Sequence, residues 1–130
     1  MKKLYKRKKN KIINILDTTV CLHSFINKTN IITTLTDLNG HVFCWFSSGT
    51  IGLRGFKKGT PIAAQKLAMH IEDKCKKINV KKIILMTKGC GSTKTIFIRS
   101  LLETSLNIIK CVDITSFAFN GCRAKKRRKV

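Results

Sequence analysis

Acidic residues are scarce in this chain: six Asp and Glu stand against twenty-seven Lys and Arg in 130 residues, a formal net charge of +21 with a pI near 10.3. A merely solvated surface mixes the two signs. A body this cationic repels itself unless a polyanion lies close by. Also missing is any Cys-x-x-Cys pair, for Cys21, Cys44, Cys75, Cys90, Cys111 and Cys122 stand singly. Structural zinc sites use close ligand pairs, so no metal is expected. The thiols are expected to be reduced and mostly buried as small apolar residues. No apolar run approaches the length of a membrane span. No secretory signal is expected either, because the basic stretch over residues 1–11 has no apolar core behind it. Proline occurs once and alanine is sparse beside abundant Lys, Ile and Asn, a bias that suits an AT-rich genome such as an organelle's.

The positive charge is concentrated at both ends. Seven basic residues fall in residues 2–11 and six in residues 123–129, neither stretch holding an acid, which leaves fourteen basic and six acidic residues, a net +8, in the body. Neither tail carries the apolar face by which a basic helix lies on a membrane. Nucleic acid is the polyanion that fits, and no membrane partner is expected.

The 43% hydrophobic content is that of a globular protein, and 130 residues make one domain. Residues 18–26, 30–37 and 41–47 read as three short strands, with turns at Asn27-Lys28-Thr29 and Asp37-Leu38-Asn39-Gly40. Thr60-Pro61 is a helix start, a capping hydroxyl followed by proline at the first helical position. Ala64, Leu67, Ala68, Ile71, Cys75 and Ile78 then recur on one helical face. Residues 80–87 form an apolar strand, 88–92 a glycine loop, 93–106 a second helix and 107–115 a final strand. The order β-β-β-α-β-α-β predicts an α/β domain over residues 18–115 with a mixed sheet. A basic arm (1–17) and a basic tail (116–130) flank it.

Enzymatic chemistry finds little support. Gly89-Cys90-Gly91-Ser92-Thr93-Lys94-Thr95 imitates a nucleotide-binding phosphate loop, but Thr93 and Lys88 stand where that motif needs glycine. The segment remains either an anion nest or a tight turn. His23, His41 and His70 lie apart from one another and from any cysteine partner. Asp17, Asp37 and Asp113 sit at strand ends, where a nuclease could gather carboxylates; in so basic a chain they read as turn caps or partners for Lys and Arg. Between residues 49 and 60, Arg54, Lys57 and Lys58 are set among four glycines, which let backbone approach a phosphate. The closing run of Lys and Arg reads equally as a nuclear-import signal or a phosphate-binding tail.

Three blocks carry a resemblance to a known family. The first runs Trp45-Phe-Ser-Ser-Gly-Thr-Ile-Gly-Leu-Arg-Gly-Phe-Lys-Lys-Gly-Thr-Pro-Ile-Ala-Ala-Gln65. The second is Lys88-Gly-Cys-Gly with Arg99 downstream. The third is Asp113-Ile-Thr, then Asn120-Gly-Cys-Arg and the basic run. Together they resemble the universal small-subunit ribosomal protein eleven family, of bacterial and organellar type, over nearly everything after about Val20. The resemblance implies a three-layer α/β domain with a mixed five-stranded sheet. It also implies a structural role on the small-subunit platform, bound to small-subunit ribosomal RNA beside neighbouring platform proteins and near the messenger's exit path. No catalysis and no cofactor are implied. By matching position, RNA would be met by Arg54, Lys57, Lys58, Lys88, Lys94, Arg99, Asn120, Arg123, Lys125, Lys126, Arg127, Arg128 and Lys129. Cys90 replaces the family's usual proline, Thr93-Lys94 a glycine followed by Arg, and Ala124 a proline after the third block. Lys lacks the planar fork of Arg, so contact at Lys94 is expected to be weaker. Gly59-Thr60-Pro61 looks more like plastid members, which with the AT-rich bias favours a plastid over a mitochondrial ribosome. The rival reading is a non-ribosomal basic nucleic-acid-binding protein, such as a nucleoid factor or RNA chaperone.

Overall fold

Val, Ile, Thr and Phe crowd the first part of the domain and favour extended backbone there. The computed structural model describes residues 19–80 and 82–127; the basic arm (1–17) with residue 18, and Arg128 and Lys129 of the tail, lie outside them. Strands β1 (Thr19–Ile26), β2 (Ile31–Thr36) and β3 (Val42–Ser47) form an antiparallel meander. A 3-10 turn (Gly55–Gly59) follows, then α1 (Pro61–Ile78), β4 (Lys82–Lys88), α2 (Ser92–Leu102) and β5 (Asn107–Asp113). β4 runs parallel to both β1 and β5, so the sheet is mixed, five-stranded and ordered β3-β2-β1-β4-β5. The α/β class, the element order and the mixed sheet agree with expectation.

Thr60 caps α1 by accepting from the Ala63 N–H at 3.4 Å, and Pro61 takes the first helical position. The helix ends where Asn79 turns left-handed (φ 57) and the N–H of Val80 reaches back to the Cys75 carbonyl at 3.1 Å, the usual way of satisfying terminal carbonyls. Its buried face, Ala64, Leu67, Ala68, Ile71 and Cys75, is the face read from spacing, with Ile78 at its margin. These side chains join Val20, Leu22, Ile31, Leu35, Ile83 and Leu85 from the sheet and Phe97 and Leu101 from α2 in one core. The crossovers at α1 and α2 advance in the same direction along the sheet, so right-handed connection puts both helices on one face, where they pack side by side. No helix among the described residues covers the other face, where Phe25, Ile32 and Trp45 remain exposed. The described residues thus supply two of the three layers implied by the resemblance.

Three details differ from the sequence reading. α2 stops at Leu102 rather than 106. The Thr104 N–H and hydroxyl both donate to the Leu101 carbonyl, at 3.2 and 2.6 Å. Ser105 then donates through N–H and hydroxyl to Glu72 of α1, at 3.1 and 2.6 Å, which draws the chain out of the helix. The glycine segment before α1 holds the 3-10 turn. Only Cys21 and Cys75 are buried; Cys44 is half-buried, and Cys90, Cys111 and Cys122 are exposed, because they lie in a loop, on the edge strand and in the tail.

Two glycines permit backbone contacts that no other residue allows. A Cβ on Gly89 would fall 1.9 Å from the Ile26 carbonyl oxygen, at a backbone φ of +114, and one on Gly59 would fall 2.1 Å from the Lys28 carbonyl oxygen. Gly89→Ala is therefore expected to destabilise the domain by at least about 2 kcal/mol. Gly49→Ala, whose Cβ meets only ordinary contacts, should stay within about 1 kcal/mol of wild type. Urea denaturation of both variants measures this, and equal stabilities would contradict the close packing at Gly89.

Candidate nucleic-acid interface

Parallel strands end together, and the helices that follow them start from the same edge. In this sheet the carboxyl ends of β1, β4 and β5 lie at one edge, as do the starts of α1 and α2. Such edges are where open α/β sheets bind ligands. The Thr93 hydroxyl at the start of α2 donates to the Gly59 carbonyl at 3.1 Å, tying the turn before α1 to the loop before α2. The close approaches of Gly59 to Lys28 and Gly89 to Ile26 add the β1–β2 turn to the same cluster.

This geometry brings together Arg54, Lys57, Lys58, Lys88 and Lys94, residues spread over forty positions of sequence. Arg54, Lys57 and Lys88 are exposed and Lys58 half-exposed. Lys88 shares the open sheet face with Phe25 and Ile32, around a shallow cavity of about 160 Å³. Lys28, absent from the sequence-derived set, sits in the turn against Gly59; only the three-dimensional contact marks it, because its local sequence is an ordinary turn.

Lys94 behaves differently from the other cations. Its side chain is only 15% exposed, and its ammonium donates to the Gly89 carbonyl at 3.0 Å and to Asp113 Oδ2 at 2.6 Å. Thr115 completes the clamp: its N–H donates to Asp113 Oδ1 at 3.0 Å, and its hydroxyl accepts from the Gly89 N–H at 3.0 Å. The hydrogen bond from Lys94, then those from Thr115, hold the Asp113 carboxyl down from 3.8 to about 2. Asp113 is thus a local partner for a lysine, as its setting in so basic a chain led us to expect. No side chain caps α2, whose first N–H groups, with their fractional positive charge, open toward this edge.

Arg99 is not part of the cluster. It is exposed in the last turn of α2, seven residues beyond Ser92 and so about 10 Å along the helix axis. The tail leaves the domain at the clamp, where the Ile114 N–H donates to the Thr87 carbonyl at 2.8 Å. Beyond it Asn120, in left-handed backbone at φ 51, and Arg123, Lys125, Lys126 and Arg127 are all exposed.

Comparison with known proteins agrees with the sequence resemblance. The profile of the family described as Ribosomal protein S11 matches residues 9–129. The small ribosomal subunit protein uS11 of Thermotoga maritima is 40% identical over 123 residues, 95% of this chain and 93% of its own length. That of Thermosipho melanesiensis is 41% identical over 107 residues, 82% and 83% of the two chains. That of Helicobacter hepaticus is 36% identical over 130 residues, 99% and 98%. The match thus begins well before Val20, and much of the basic arm belongs to it after all.

Two hydrogen-bonded carboxylates, one of them in the clamp, carry a pH signature. Asp113 and Glu72 both have carboxyls held low, Glu72 moving from 4.5 to about 2 through hydrogen bonds from Lys76 and then Ser105. A depressed native pKa means the unfolded chain binds more protons across the interval, so stability rises with pH there. The contribution is complete above about pH 4.5 and is lost as pH falls toward 2. An Asp113→Asn/Glu72→Gln double variant should show a flatter dependence of the urea midpoint on pH in that window. An unchanged slope would show that these carboxylates are not held as described.

Proposed function

The chain belongs to the ribosomal protein S11 family, and from that premise we propose that this structural, non-enzymatic constituent of the small ribosomal subunit binds small-subunit ribosomal RNA on the platform, near the messenger's exit path. The observation that carries the proposal is the gathering of cations at one edge of the sheet, where the acid present, Asp113, is already paired with Lys94. Arg54, Lys57, Lys58 and Lys88 neutralise phosphates directly. Lys94 acts chiefly through the loop it ties, and Arg99 meets RNA along the flank of α2. Asn120 turns the tail, and Arg123, Lys125, Lys126, Arg127, Arg128 and Lys129 neutralise further phosphates. Residues 18–115 are the folded RNA-binding domain in this proposal, with residues 1–17 and 116–130 as its basic extensions, and adjacent platform proteins as further neighbours.

The AT-rich bias and the Gly59-Thr60-Pro61 block support an organellar ribosome, plastid ahead of mitochondrion. Immunodetection in ribosomes from the two purified organelles tests this, and signal confined to mitochondrial ribosomes would reverse it.

Phosphate neutralisation releases counterions, so affinity should fall steeply with salt. About six to ten contacts would lower it by a thousandfold or more between about 50 and 200 mM salt. An Arg123→Ala/Lys126→Ala variant should reduce the salt slope by about one per cation removed and leave the urea midpoint unchanged. A flat salt response would overturn the electrostatic account, and an earlier midpoint would assign these two residues to the fold.

A further inference from the structure

Phe56 is a large apolar side chain that the fold leaves 93% exposed. An isolated surface phenylalanine needs no explanation in itself; its position does. It lies in the 3-10 turn Gly55–Gly59, directly after exposed Arg54 and Gly55 and before Lys57 and Lys58, in a segment (49–60) without an acid.

The turn is braced rather than loose. The Ser47 N–H donates to Thr50 Oγ1 at 2.9 Å, and the Thr50 hydroxyl donates to the Ser47 carbonyl at 2.8 Å. The Leu53 N–H donates to the Ser48 carbonyl at 3.2 Å, and the Thr60 hydroxyl to the Lys57 carbonyl at 2.8 Å. Gly59 is pinned at the far end by Thr93 and by its contact with Lys28. With the backbone fixed in this way, binding has only the ring's own side-chain torsions left to order.

The surroundings select the partner. An apolar pocket of another protein would accept the ring, but would still have to meet the cations beside it. A nucleic-acid strand satisfies both needs at once, with a base face for the ring and phosphates for Arg54, Lys57 and Lys58. In a continuous duplex both faces of each base are occupied by its neighbours; unpaired bases are free to stack on aromatic side chains. We propose that Phe56 stacks on an unpaired base, so that this loop reads strand state as well as charge. The inference rests on the RNA-binding function proposed above.

The test uses the full chain with two fluorescein-labelled probes, single-stranded oligoadenylate and an RNA duplex with the same number of phosphates. Phe56→Ala should weaken single-strand binding by about five- to a hundred-fold and change duplex binding by less than about twofold. Phe56→Leu, apolar but without an aromatic face, should behave like Phe56→Ala, and Phe56→Trp should retain affinity. The salt slope of Phe56→Ala should match wild type, whereas Lys57→Ala should lower it by about 0.7 on the single strand. No loss in Phe56→Ala, equal loss on both probes, or full affinity in Phe56→Leu overturns the assignment. A flat salt slope in the wild-type protein instead removes the RNA-binding reading itself, an outcome distinct from a steep slope with a silent Phe56→Ala.

Discussion

Where Gly89 passes the Ile26 carbonyl and Gly59 passes that of Lys28, three connections meet with no side chain between them. The β1–β2 turn, the 3-10 turn before α1 and the loop before α2 thereby become one surface. Thr93 joins the two glycine loops, and Lys94, Asp113 and Thr115 fasten the loop before α2 to the end of β5. These neutral contacts and a single paired carboxylate hold together residues whose charges repel one another. The rest of the candidate interface depends on that arrangement: it fixes the segment that holds Arg54, Lys57 and Lys58 beside the end of β4, where Lys88 stands.

The cationic surface and the stable core are consequently divided between different parts of the molecule. The core uses one face of the sheet and the two helices packed side by side on it. The working edge uses what the fold leaves over, namely the carboxyl ends of parallel strands and uncapped helix backbone. One lysine crosses the boundary. Lys94 contributes its charge to a carboxylate of its own chain, so the loop is held in place by the chain's own contacts.

Much of the fold was legible because its signals are local. Thr60-Pro61 marked the start of α1 to the residue, and the three- and four-residue spacing from Ala64 to Cys75 marked its buried face. The turn sequences separated the strands, and the two helical crossovers implied a mixed sheet, but not that β4 would pair with β1 rather than with β3, the strand before its crossover. The end of α2 was not legible, because Ser105 answers to Glu72, thirty-three residues away. The ion pair of Lys94 was not legible either, because its partner Asp113 stands nineteen residues on, at the end of β5. Lys28 had no signal beyond a turn, and the exposure of Phe56 depends on a backbone path that composition does not encode. Arg99 is basic and exposed but lies away from the cluster, a separation that only the length and direction of α2 reveal.

Family membership and the cationic edge together lead to one central claim: this edge and the tail, rather than the remainder of the basic surface, meet the RNA. Ultraviolet crosslinking of assembled small subunits, with mass spectrometry of RNA-linked peptides, measures it directly. The account predicts crosslinks within residues 54–58, at Lys88 and in the tail from Asn120 onward. Crosslinks confined to Lys74, Lys76 and Lys77 of α1 or to Lys82, with these loops unmarked, would contradict it.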